Sequence, residues 1–126
     1  MIEPKIKKKV LVIDDEESIT KLLKILLEKE GYEVIIANNG FEGIERTRSE
    51  KPDLVITDLM MSGINGYQII FRLLHEEYLD KDPKFIVLTG RSKRKEEDLS
   101  NKLGACTYLE KPFKSEVLID LVRKVI

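Results

Sequence analysis

The sequence contains no tryptophan, one histidine, one cysteine and four prolines, and its formal net charge is only -1. Each scarcity excludes something. The single cysteine, Cys106, rules out an intramolecular disulfide, fits a reducing compartment, and reads as a small hydrophobe packed in a strand. The single histidine, His75, sits mid-helix without a partner motif and is given no role. A net charge near zero supplies no broad field for nucleic acid or an anionic membrane. The short KIKKK run at Lys5–Lys9 reads as a solvated leader, and residues 1–7 are expected to be flexible. No apolar stretch approaches the roughly 20 residues of a membrane span, and the polar N-terminus lacks a signal-peptide core. These readings together place the chain in the cytoplasm, with no membrane and no direct nucleic-acid partner.

What the chain does have is a globular composition, 42% hydrophobic, with an unusually high 36% of charged residues. Its 126 residues suit one domain over 1–126. Two periodicities alternate along it. KVLVI (Lys9–Ile13) is a short β-branched run of the kind buried on both faces, and YEVIIA (Tyr32–Ala37), DLVIT (Asp53–Thr57), KFIVLTG (Lys84–Gly90) and CTYLE (Cys106–Glu110) read as four further strands. Between and after them the spacing turns helical. Ile19, Leu22, Leu23 and Leu26 mark a helix over Glu17–Glu30, ended by Gly31. A second helix is expected from about Phe41 to Ser49, and a third carries Ile69, Ile70, Leu73 and Leu74. A polar fourth spans roughly Lys95–Leu103 and stops at Gly104, and Leu118, Leu121, Val122 and Val125 stripe the last. Strand and helix thus alternate five times. Parallel strands with right-handed helical crossovers are the stable solution, and so short a chain favours an open doubly wound sheet over a barrel of about 250 residues.

The first strand runs into Asp14-Asp15 and the third into Asp58. In open α/β sheets the binding crevice lies at the carboxyl ends of the strands, where strand order reverses. If strands one and three flank that reversal, three carboxylates meet there. Such a cluster calls for a cation, and oxygen donors with no histidine or cysteine nearby point to Mg²⁺, or Mn²⁺ in its place. Thr89 closes the fourth strand with a hydroxyl, and Lys111 follows the fifth with an ammonium. A nucleophile, a metal and two donors are the inventory for phosphoryl transfer onto a carboxylate. A lone Asp14 would read as a helix cap and a lone Lys111 as a surface charge. Their joint placement at strand ends makes the functional reading the better one.

LVIDDEE, DLVITDLMMSGINGY, FIVLTG and LGACTYLEKPF, in this order and at these separations, resemble the successive signatures of response-regulator receiver domains. The likeness covers essentially the whole chain. It implies a flavodoxin-like (βα)5 fold with strand order 2-1-3-4-5 and helices on both faces. It implies that Asp58 is phosphorylated by a sensor histidine kinase or phosphotransfer protein. By the same resemblance Asp15 binds Mg²⁺, Asp14 holds a metal-bound water, and the backbone carbonyl of Met60 completes the ligands. Thr89 swings toward the phosphoryl group, Tyr108 moves inward behind it, and Lys111 reaches a phosphoryl oxygen across a cis Lys111–Pro112 bond. Gly66 matches the family's loop glycine, whereas Ser62 stands where a proline is usual, which loosens the loop. Met60 and Arg91 occupy positions that set the phosphoryl lifetime, and their bulk is expected to slow hydrolysis.

Four functions compete for this sequence. The first is a Mg²⁺-dependent phospho-accepting switch whose fourth helix, fifth strand and fifth helix form the responding face. It would not be an enzyme toward other substrates. A haloacid-dehalogenase-like phosphatase needs a second Asp two residues after the nucleophile, where this chain has Met60. A flavin or nucleotide binder needs a glycine-rich phosphate cradle after strand one or three, which is missing. A degenerate receiver, acting only as an interaction module, has no use for an intact acidic set. The RSKRKEED stretch (Arg91–Asp98) reads as a solvated loop and helix start, on the face where receivers meet partners. A single-domain regulator and a receiver joined to an output domain are both left open, as is a phosphorylation-linked homodimer. The downstream target is unspecified.

Overall fold

The computed structural model describes residues 6–75, 82–90 and 106–126. The strands are β1 (Lys9–Ile13), β2 (Glu33–Ala37), β3 (Leu54–Asp58), β4 (Lys84–Thr89) and β5 (Cys106–Glu110). Four helices accompany them among the described residues: α1 (Glu17–Lys29), α2 (Gly40–Glu50), α3 (Gly66–Leu74) and a C-terminal helix (Ser115–Val125). All strand pairs are parallel and the sheet order is β2-β1-β3-β4-β5, the flavodoxin-like arrangement. The expected fourth helix with Gly104, the Arg91–Asp98 stretch and the first five residues of the leader lie outside the described residues. So does the Cys106 side chain. Ile6, at the described end of the leader, is 97% exposed.

Period-2 alternation splits the central strands between two cores. Val10, Val12, Leu54 and Ile56 face α1 and the C-terminal helix, while Leu11, Ile13 and Val55 face α2 and α3. Full burial of each such aliphatic side chain stabilises the fold by about 1.5–3 kcal/mol. These two-sided cores explain why the strands read as continuous apolar runs.

The first helix corrects one expectation. Its buried stripe is Thr20, Leu23 and Leu27, with Ile19 and Leu26 at the margin, whereas Leu22 is 45% exposed. Leu23 and Leu27 stand four apart on the face toward the sheet, and Leu22 is rotated about 100° away from Leu23. On α3, Leu74 is likewise at the exposed edge while Ile69, Ile70 and Leu73 are buried. The second helix begins one residue early, at Gly40, because the Asn39 side chain caps it by accepting the Glu42 N–H at 2.8 Å. No helix among the described residues is long and apolar enough to cross a membrane.

Candidate functional site

The third strand runs one residue further than its apolar pattern, because Asp58 pairs in register with Leu88 of β4. The carboxylate is therefore carried by the rigid middle strand of the sheet rather than by a loop. Asp14 directly follows β1, which is hydrogen-bonded to β3, and its N–H donates to the Ala37 carbonyl at 3.2 Å. Side-chain oxygens of Asp14, Asp15 and Asp58 lie within 4.8 Å of one another. Asp14 and Asp58 are buried and Asp15 is exposed.

The two oxygens of Asp14 have different surroundings. Oδ1 accepts the Glu16 N–H at 3.0 Å, closing the turn into α1. Oδ2 is buried and has no hydrogen-bond partner. Lys111 Nζ stands 3.8 Å from it, close enough for Coulomb attraction and too far for a hydrogen bond. Burial, above all, pushes the Asp14 carboxyl up to about 6. The Glu16 N–H and the Lys111 ammonium pull it down, while the charges of Asp58 and Asp15 push it up. A buried oxygen without a partner is costly unless something fills the position. With two further carboxylates beside it and no soft donor in the cluster, the residues fit a small hard cation such as Mg²⁺.

Lys111 follows β5 and is held by backbone as well as by charge. Its N–H donates to the Thr89 carbonyl at 2.7 Å, and its Nζ lies 3.3 Å from Asp58 Oδ1. The Lys111–Pro112 bond is cis. Thr89 closes β4, is buried, and stands one residue beyond the Leu88 that pairs with Asp58. Met60 lies in the loop two residues past Asp58, and its side chain is 58% exposed. Tyr108 is half-buried on β5 against the α2–α3 core. Asp14, Asp15, Asp58 and Lys111 thus meet at the carboxyl end of the sheet and Thr89 closes the neighbouring strand, whereas Tyr108 pairs with Val87 further back along β5. Arg91 lies outside the described residues.

Two contacts at the start of α3 were not legible in the sequence. A β-carbon on Gly66 would lie 2.7 Å from the Asp58 carbonyl oxygen, so this glycine lets α3 start directly against the acidic strand end. A loop-glycine match identified the position without showing what it touches. The hydroxyl of Tyr67, the next residue, donates to that of Tyr108 at 3.4 Å. A pairing across so many residues depends on sheet order and leaves no local sequence signal.

Chemically, the rim offers an oxygen nucleophile on a fixed strand, a cation seat beside it, and an ammonium at contact range. Comparisons with known proteins bear on the family of the chain. The family model described as "Response regulator receiver domain" matches residues 10–123. The chain is 38% identical over 106 residues to the alkaline phosphatase synthesis transcriptional regulatory protein PhoP of Bacillus subtilis. That match covers 84% of the chain and 43% of PhoP, so the chain spans less than half of that relative. It is 33% identical to sporulation initiation phosphotransferase F of Bacillus subtilis, covering 92% of the chain and 91% of that protein. Its fold is similar to that of chemotaxis protein CheY4 of Vibrio cholerae, with a TM-score of 0.88 and 26% identity. The superposition covers 96% of this chain and 100% of that one.

Proposed function

The chain belongs to the response-regulator receiver domain family, and from that premise we propose that it accepts a phosphoryl group on Asp58 from a phosphohistidine donor in a Mg²⁺-dependent reaction. The observation that carries this reading is the pairing of a buried strand-end carboxylate with an ammonium 3.3 Å away, beside a buried Asp14 oxygen that has no hydrogen-bond partner. An Asp58 oxygen attacks phosphorus, the P–N bond to the donor imidazole breaks, and an acyl phosphate forms. Asp14, Asp15, Asp58 and the Met60 backbone carbonyl would hold Mg²⁺. When bound, the ion offsets negative charge on the phosphoryl oxygens. Lys111 supplies a second positive charge there, and the Thr89 hydroxyl a hydrogen bond.

Phosphorylation then biases a two-state equilibrium through Thr89 and Tyr108, remodelling the face that includes β5 and the C-terminal helix. The protein modifies itself and turns over no separate substrate, so in this reading it is a switch and not an enzyme. Its donor is a sensor histidine kinase or phosphotransfer protein, which places it in the cytoplasm, and its output passes to a downstream protein or a joined domain. A degenerate receiver would gain nothing from an unpartnered buried carboxyl oxygen. The test is incubation with acetyl phosphate and Mg²⁺ followed by intact mass. One added phosphoryl group is expected on the wild-type chain and none on Asp58→Asn; a gain that survives that substitution refutes the assignment.

A further inference from the structure

Tyr67 is the second residue of α3, and the start of that helix is fixed to the acceptor strand. Asn65 and Gln68 form a reciprocal capping box, at 2.9 Å and 2.8 Å. The Gly66 N–H donates to the Leu59 carbonyl at 3.1 Å, and Gly66 itself abuts the Asp58 carbonyl. Any shift of the Asp58–Leu59 backbone is therefore passed to the Tyr67 ring with little slack. Tyr108 sits at the other end of the contact, on β5 at the margin of the sheet. Both rings are half-buried and pack against the same core, and their hydroxyls meet at 3.4 Å.

We propose that Tyr67 is a positioning residue for the switch: its hydroxyl holds the Tyr108 ring inward and links the acceptor loop to β5 by a route beside Thr89, not through it. The proposal rests on the reading of Asp58 as phospho-acceptor and of Tyr108 as the aromatic that moves. A separation of 3.4 Å is long for O–H···O contacts, whose usual length is about 2.7–2.8 Å, so the pair biases the ring without locking it. A net hydrogen bond of ordinary strength shifts an equilibrium about two- to tenfold, and one this long belongs at the low end of that range. That is enough to tune a switch and too little to freeze one.

The test uses the full chain labelled with 3-fluorotyrosine, titrated with beryllofluoride and Mg²⁺ and followed by fluorine NMR and by the Leu59 backbone amide. The wild-type Tyr108 resonance is expected to move on titration. Tyr67→Phe keeps the ring and removes only the hydroxyl. It is expected to displace the resting Tyr108 resonance toward that of a solvent-exposed ring and to raise the beryllofluoride midpoint about two- to threefold. Tyr108→Phe should also raise the midpoint, and the double variant by less than the sum of the two, the coupling that a shared contact leaves in a double-mutant cycle. An unchanged midpoint in Tyr67→Phe, or effects that simply add, overturns the proposal. If Asp58 takes up a phosphoryl group by mass while Tyr108 never responds, this inference falls and the acceptor assignment stands. If no phosphoryl group is taken up, both fall.

Discussion

Lys111 Nζ stands 3.3 Å from Asp58 Oδ1, bringing a residue after the last strand against one at the end of the third. The same ammonium is 3.8 Å from Asp14 Oδ2, so one cation faces two buried carboxylates. Replacing it leaves like charges facing each other with less compensation. Lys111→Ala is expected to lower the thermal midpoint of the metal-free protein by about 4 °C, the equivalent of about 1 kcal/mol. Saturating Mg²⁺ should recover most of that loss, while phosphorylation by acetyl phosphate stays at least about tenfold slower, the equivalent of about 1.4 kcal/mol of lost barrier lowering. Melting curves with and without Mg²⁺, and intact mass against time, check both halves.

The raised carboxyl of Asp14 gives stability a defined pH dependence. Its ordinary value is 3.8 and burial carries it to about 6 in the folded chain. Between these values the native state binds more protons than the unfolded one, so this group's contribution is full below about 4 and is lost as pH rises through about 6. Asp14→Asn keeps an oxygen for the Glu16 N–H and removes the charge. In metal-free buffer the variant should exceed the wild type by about 1–3 kcal/mol at pH 7.5, the gap closing by pH 4. Denaturant unfolding of the pair across this range measures it; distant carboxylates cancel in the difference, while Asp15 and Asp58, which share the cluster with Asp14, contribute to it.

Mg²⁺ should stabilise the wild type by mass action, with a thermal midpoint that climbs with ion concentration and falls back on chelation. Protons compete for the Asp14 oxygen, so apparent Mg²⁺ affinity is expected to weaken as pH falls below about 6. Asp14→Asn and Asp58→Asn should each lose most of the ion-dependent shift. A shift of wild-type size in either variant would show that the ion binds elsewhere.

Gly66→Ala places a carbon 2.7 Å from the Asp58 carbonyl oxygen and 3.1 Å from the Leu59 α-carbon. Both neighbours are backbone, so the start of α3 must move away. A loss of about 1–3 kcal/mol is expected, with slower phosphorylation. At Gly63 the nearest atom to such a carbon is the Phe41 ring at 3.8 Å, and the obstacle is the φ of +83°. Gly63→Ala should therefore destabilise by about 1–2 kcal/mol while leaving the phosphorylation rate close to wild type. Comparing rates in the two variants separates crowding at the acceptor from strain in the loop.

Met60 projects into solvent two residues past the acceptor. If its bulk, together with Arg91, obstructs the water that hydrolyses the acyl phosphate, Met60→Ala combined with Arg91→Ala should shorten the phosphoryl half-life several-fold. An unchanged half-life in the double variant would remove both residues from that role.

Much of the fold is legible in the residues alone. Alternating periodicities gave the strands because β1 and β3 are buried on both faces and so are written as unbroken apolar runs. The convergence of Asp14, Asp15, Asp58, Thr89 and Lys111 followed from the rule that crevices form at carboxyl strand ends. The misses have physical causes. Asp58 belongs to β3 through its backbone pairing with Leu88, which a hydropathy pattern cannot register. Leu22 and Leu27 of α1 could each have joined the buried stripe, and only the direction of the sheet decides for Leu27. The Asp14 oxygen without a partner and the Tyr67–Tyr108 contact exist only once the strands are in register.

The order of the strands has one more consequence. The third strand is hemmed in by two ladders, whereas the fifth is held by one among the described residues. Loosening the flank breaks half as many hydrogen-bond rows as loosening the middle. The group that carries the signal can thus stay put while the group that announces it shifts. Different listeners could then be accommodated at the margin without redesigning the seat of the reaction.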